Sequence, residues 1–60
     1  MFKYLVIAQL TDEGEPASIT IDFETPPNEV DAVRYIADPI NGILQQYRAT
    51  RINIIDMKEL

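Results

Sequence analysis

Acidic side chains dominate the residues of this sequence that could do chemistry. The chain has ten Asp and Glu residues against five Lys and Arg, and the whole surplus of −5 falls within residues 1–30. Carboxylates can bind hard cations, act as general acids or bases, or attract a basic protein surface. The candidate partner-binding acidic surface comprises Asp12, Glu13, Glu15, Asp22, Glu24, Glu29 and Asp31.

The first three of these carboxylates do not have the spacing of a calcium-binding loop. Asp12, Glu13 and Glu15 do not alternate as ligands, and no acidic residue follows at a closing position. With Gly14 among them, they are typical of the solvated tip of a β-hairpin. The sequence therefore predicts no metal site.

The other four carboxylates are placed where they favour structure rather than catalysis. Asp22 and Glu24 fall on the polar side of an alternating segment, whereas Glu29 and Asp31 fall in the first turn of a helix. Acidic residues in a first turn stabilise the helix dipole, and general acid–base catalysis needs a carboxyl group held in a pocket. We therefore expect no catalytic residue and no enzymatic activity.

Several other chemistries are excluded by composition. The chain has no His and no Cys, so it cannot form a Ser-His triad, a thiolate zinc site or a disulfide. Gly14 and Gly42 are the only glycines, which is too few for a phosphate-binding loop. The tyrosines Tyr4, Tyr35 and Tyr47 are expected to pack in the core or at its rim. No cofactor is predicted.

Basic residues are too few to bind nucleic acid or an anionic membrane directly. Phosphate binding is driven by clustered Lys and Arg, and membrane surfaces attract polybasic segments. A small basic spot near a helix C-terminus is explained by the helix dipole. Its members would be Arg34, Arg48, Arg51 and Lys58.

Three segments have the composition of β-strands. Phe2 to Leu10 is apolar on both sides, which is typical of a central strand. Ala17 to Glu24 alternates between apolar and polar residues, which predicts an edge strand with one solvated face. Arg51 to Met57 is the third predicted strand.

The segment between the last two strands is predicted to be helical. Asn28 is the expected N-cap. We favour one helix of about 20 residues, bent near Pro39, because the apolar spacing crosses that residue without a phase slip. The alternative is that Asp38-Pro39 caps and begins a second helix. The predicted apolar stripe comprises Val30, Val33, Ala37, Ile40, Leu44 and Tyr47, widened by Ile36 and Ile43.

These elements predict a single small α+β domain over residues 1–60. Its ββαβ order favours a largely antiparallel three-stranded sheet in which the first strand is central, giving the order 2-1-3. One Pro-kinked helix packs on one face of this sheet. The residues expected beneath it are Val6, Ala8, Ile19, Ile21, Phe23, Ile52 and Ile54.

One helix cannot cover the other side of the sheet, which we call the open face. Leu5, Ile7, Ile55 and Met57 are predicted to lie there. Exposed apolar patches often mark an interface, and chains of this size often gain stability by self-association. We therefore expect a homodimer or higher oligomer, joined through the open face or edge to edge through the third strand.

The leading functional hypothesis is a non-enzymatic, acidic protein-interaction module that acts as a homo-oligomer. One version is a phage-type inhibitor or adaptor whose acidic half binds a basic protein surface, as short acidic proteins that imitate DNA phosphates do. A second hypothesis is a structural or assembly subunit that self-associates through its sheet. A third is a small oligomeric enzyme or ligand-binding protein with a site between subunits.

The sequence also bears on the compartment. The longest apolar run, Leu5 to Ala8, is far shorter than the roughly 20 residues that span a bilayer. Residues 1–10 do not resemble a signal peptide, because polar Gln9 interrupts the apolar segment. We expect a complete, cytoplasmic protein.

Overall fold

The sheet has the predicted topology. The computed structural model describes all sixty residues, with strands β1 (Phe2–Gln9), β2 (Ala17–Phe23) and β3 (Asn53–Glu59). Both outer strands run antiparallel to β1, and the spatial order is β2-β1-β3. The α+β class and the 2-1-3 order are therefore confirmed.

The central strand is apolar on both sides because it carries the core on one of them. Val6 and Ala8 are fully buried beneath the helical layer, whereas Leu5 and Ile7 are half-buried on the open face. All seven residues expected beneath the helix belong to the core or pack against it. The fully buried positions are those where β1 and β2 face the helix, as an alternating pattern requires.

The helical segment begins as predicted and ends earlier. Helix α1 spans Glu29–Ala37, and Asn28 forms a capping box with Asp31. Asp38 is extended, with ψ of 120°, and its side chain caps a short 3-10 turn at Pro39–Asn41. The single bent helix is therefore wrong, and the alternative reading of Asp38-Pro39 as a new start is correct, because a residue before proline avoids the helical region.

A short second helix, α2 (Ile43–Gln46), completes the helical layer. Gly42 precedes it in the left-handed conformation, and Arg48, which follows the C-cap residue Tyr47, also has a positive φ of 52°. The Ala49 N–H donates to the Leu44 carbonyl at 2.8 Å. The Arg48 N–H donates to the Gln45 carbonyl, which completes a Schellman ending with arginine where glycine is usual.

The apolar stripe of the helical segment differs from the predicted one. Ala32, Ile36 and Ile43 are the helical-layer residues in the core. Ile36 and Ile43 are buried as predicted, whereas Val30 and Ile40 are 55% and 91% exposed and lie outside the core. Within α1 the buried face is the one that carries Ala32 and Ile36, and the break at Asp38 then ends the phase relation that places Ile40 in the predicted stripe. No helix is long and apolar enough to cross a membrane.

A β-bulge in β3 changes which residues reach the open face. Ile7 pairs with Asp56 and Ala8 pairs with Ile54, so Ile55 is the extra residue. The bulge reverses the alternation beyond it. Met57 therefore pairs with Val6 and packs against the core, which corrects its predicted place on the open face.

Candidate functional site

The seven candidate carboxylates lie at two ends of the sheet. The hairpin acids, Asp12, Glu13 and Glu15, follow the end where Ala8 pairs with Ala17. At the opposite end, where Phe2 pairs with Phe23, Asp22 lies one residue before the end of β2, and Glu24, Glu29 and Asp31 follow it along the chain. Six residues of strand separate these pairs, which is about 20 Å. The acidic half of the sequence is therefore two separate groups in space.

The hairpin acids are held on a loop that is ordered by its own hydrogen bonds. The Gln9 side-chain amide donates to the Thr11 carbonyl at 2.8 Å and to the Gly14 carbonyl at 3.2 Å. Thr11 Oγ1 donates to the Glu13 carbonyl. Asp12 is 3.5 Å from the Arg51 guanidinium, so one of the three charges is partly neutralised. No three acidic side chains in the molecule are arranged to hold a metal ion.

An open groove of about 280 Å³ lies at the other end of the sheet. It is formed where the end of β2 meets the side of α1 and the 3-10 turn. Three carboxylates and one guanidinium give it a net charge of −2. Its lining residues are Phe23, Glu24, Thr25, Asp31, Arg34, Tyr35, Asp38 and Asn41.

Aromatic packing and backbone capping fix the walls of the groove. Phe23 packs edge-on against Tyr35, with ring centroids 6.3 Å apart, and against Tyr4 at 6.0 Å. The Asn41 side-chain amide donates to the Tyr35 carbonyl at 2.8 Å. This bond ties the 3-10 turn to the last turn of α1 and so holds Asn41 beside Tyr35 at the wall of the groove.

Two of the groove carboxylates have structural partners. Asp31 accepts a hydrogen bond from the Asn28 N–H at 2.9 Å, and Asp38 accepts one from the Ile40 N–H at 3.0 Å. Glu24 accepts no hydrogen bond, and the Arg34 guanidinium has no carboxylate within ion-pair distance. Glu24 is thus the groove carboxylate that is free to bind a cationic group, while Asp31 and Asp38 add a fixed negative field.

The apolar part of the open face, where the oligomer interface was predicted, has fewer residues than expected. Leu5 and Ile7 are half-buried on the open face, and Ile55 is 53% exposed at the bulge. Met57 lies on the other side of the sheet and packs against the core. The positions that flank β1 on the open face are polar in both neighbouring strands. They are Ser18, Thr20 and Asp22 in β2, and Asn53, Asp56 and Lys58 in β3.

Six of the eight groove residues, all except Glu24 and Asp31, were not predicted from the sequence as part of a site. Arg34, Tyr35 and Asn41 join it because α1 ends at Ala37 and the chain turns back at Pro39. Asp38-Pro39 is the signal that could have located the turn. The basic residues also separate, since Arg34 lines the groove whereas Arg51 pairs with the hairpin.

Comparison with known proteins gives no relative whose site could be set beside this groove. No family model, curated protein or solved structure matches the chain.

Proposed function

We propose that the chain is a non-enzymatic, cytoplasmic protein-interaction module that acts as a homo-oligomer and binds a basic protein surface through the groove. A small acidic inhibitor or adaptor of the phage type is the concrete form of this proposal. The observation that carries it is the groove itself, where three carboxylates outnumber one guanidinium and Glu24 has no partner within the chain.

Electrostatics supports a cationic partner for this groove. Complementary charge accelerates encounter and selects against partners of like charge. The excess of carboxylates in the groove and the net charge of −5 attract Lys and Arg side chains and repel acidic surfaces. The preformed walls lower the ordering cost of binding, because less of the chain is immobilised when the partner arrives.

The test is binding of a fluorescently labelled, arginine-rich decapeptide to dilute protein, measured by fluorescence anisotropy. Glu24→Gln is expected to weaken binding by about 1.5-fold to 5-fold, the range for one exposed charge pair. Raising the salt concentration should weaken binding of the wild-type protein, because surface charges are screened.

Two matched variants locate the interaction. Asp56→Asn removes the same charge from an exposed position in β3 and should leave binding close to wild type. Glu13→Gln removes it from the hairpin. Equal loss in Glu24→Gln and Asp56→Asn would mean that only net charge matters, and a greater loss in Glu13→Gln would move the site to the hairpin.

A further inference from the structure

The outer edge of β2 has no partner within the chain. Its seven residues pair with β1 on one side only, over a length of about 24 Å. No turn, loop or side-chain hydrogen bond involves residues 17–23. Alternate N–H and C=O groups along this edge therefore point outward, as the template for another strand.

The two edges of the sheet differ in how they are protected. The β3 edge has a bulge at Ile55 and carries Asp56, Lys58 and Glu59, and both bulges and charges discourage edge pairing. The β2 edge has no bulge in its register with β1 and carries one charged residue, Asp22. The asymmetry singles out β2 as the edge open to pairing.

We propose that a second copy of this chain pairs antiparallel with β2, about a two-fold axis at Thr20. This register is the one two-fold arrangement that uses all seven residues, since Thr20 is the middle of Ala17–Phe23. It joins the two sheets into one of six strands. The inference rests on the self-association in the proposed function and is independent of binding to a basic partner.

The sequence of β2 is complementary to itself in this register. On the core side Ile19 lies opposite the partner's Ile21, and β-branched pairs of this kind stabilise a sheet. On the open side the Ser18 hydroxyl lies opposite the partner's Asp22 and can donate to its carboxylate. The two Asp22 carboxylates stay four residues apart along the sheet, about 14 Å, which exceeds the screening length at moderate salt.

Pairing of this kind brings the two acidic groups together across the dimer. The same register, continued past the strand ends, sets Glu24 opposite the partner's Pro16 and next to the partner's Glu15. Each groove then adjoins the hairpin of the other copy. Repulsion between these carboxylates predicts that the dimer tightens as salt rises, which is opposite to the salt dependence expected for binding of a cationic peptide.

The test is sedimentation equilibrium over roughly 10 µM to 1 mM protein, the range suited to a small interface. The apparent mass should rise with concentration from 6.9 kDa toward twice that value. Thr20→Lys and Thr20→Glu place like charges opposite each other at the axis, and each should raise the dissociation constant about fivefold. An equimolar mixture of the two variants should restore association, because lysine then faces glutamate.

Asn53→Lys is the matched control, since it adds the same charge to the open face at the β3 edge and should dimerise like wild type. Circular dichroism checks that every variant is folded. A wild-type mass of 6.9 kDa at the highest concentration, or a Thr20→Lys variant that associates like wild type, would overturn the inference. Failure of the mixture to associate better than its components would also overturn it. Binding of the decapeptide by Thr20→Lys is scored separately, so the binding of a basic surface, which is the other half of the proposed function, is tested independently of the dimer.

Discussion

Replacement of Arg48 by glycine is expected to stabilise the protein, although it removes a large side chain. Arg48 has a φ of 52° at the end of α2, in the left-handed region that costs a residue with a Cβ atom about 1–2 kcal/mol. Its side chain is exposed and makes no ion pair, so the substitution removes no contact that would offset the gain.

The expected net gain is smaller than the strain relieved. Glycine is more flexible in the unfolded chain, which costs roughly 0.5–1 kcal/mol. The free energy of unfolding of Arg48→Gly should therefore rise by about 0.5–1 kcal/mol. For a domain of this size, the melting temperature should rise by roughly 2–8 °C.

Urea and thermal denaturation, followed by circular dichroism, measure this gain at one fixed protein concentration. The concentration is fixed because self-association would shift the midpoint. Arg48→Ala is the matched control: it removes the same charge and side chain but keeps the Cβ atom, so no stabilisation is expected. Equal stabilisation by alanine and glycine would refute the backbone argument and assign the effect to the arginine side chain.

Two further predictions concern the helical layer, and urea denaturation tests both. Ile36→Val should cost about 0.5–1.5 kcal/mol because Ile36 is fully buried, whereas Ile40→Val, at a residue that is 91% exposed, should stay within about 0.5 kcal/mol of wild type. An equal loss of unfolding free energy in Ile36→Val and Ile40→Val would mean that Ile40 is also buried in the core. Asn28→Ala should cost about 1 kcal/mol through loss of the capping box, and Asn28→Ser should retain most of that stability. An alanine variant as stable as the serine variant would contradict the capping argument.

The strands could be predicted because the alternation of apolar and polar residues along each one shows which of its sides are buried. The two apolar sides of residues 2–10 predict a central strand, found at Phe2–Gln9, and the alternation of residues 17–24 predicts an edge strand, found at Ala17–Phe23. The bulge in β3 could not be predicted from strict alternation of core-facing and open-face residues, because two apolar residues, Ile54 and Ile55, fit that alternation equally well. The spacing of three between Ile54 and Met57 is the trace that the bulge leaves in the sequence, since both residues pack against the core.

The groove could not be predicted because it depends on where the helix stops. An apolar spacing of three and four is shared by two faces of α1, and the predicted stripe follows the face of Val30, Val33 and Ala37. Packing buries the face that carries Ala32 and Ile36; Ile36 was predicted as part of the stripe, but the fully buried Ala32 was not. Only the turn at Asp38-Pro39 brings Asn41 back to Tyr35, and that contact has no periodic signal.

Because β1 is central, it pairs with one strand that is close to it along the chain and with another that is distant. The innermost β1–β2 pair, Ala8 with Ala17, is nine residues apart along the chain, whereas the innermost β1–β3 pair, Gln9 with Asn53, is 44 residues apart. Loop-closure entropy alone makes the second pairing about 1.4 kcal/mol more costly, roughly a tenfold difference in equilibrium. The hairpin is therefore the less costly of the two pairings to close, and a chain that has formed only the hairpin leaves one edge of its most apolar strand unpaired. In the folded chain the Leu10 carbonyl fixes the start of the β1–β3 pairing, because it accepts hydrogen bonds from the N–H groups of Thr50 and Arg51 just before β3 begins.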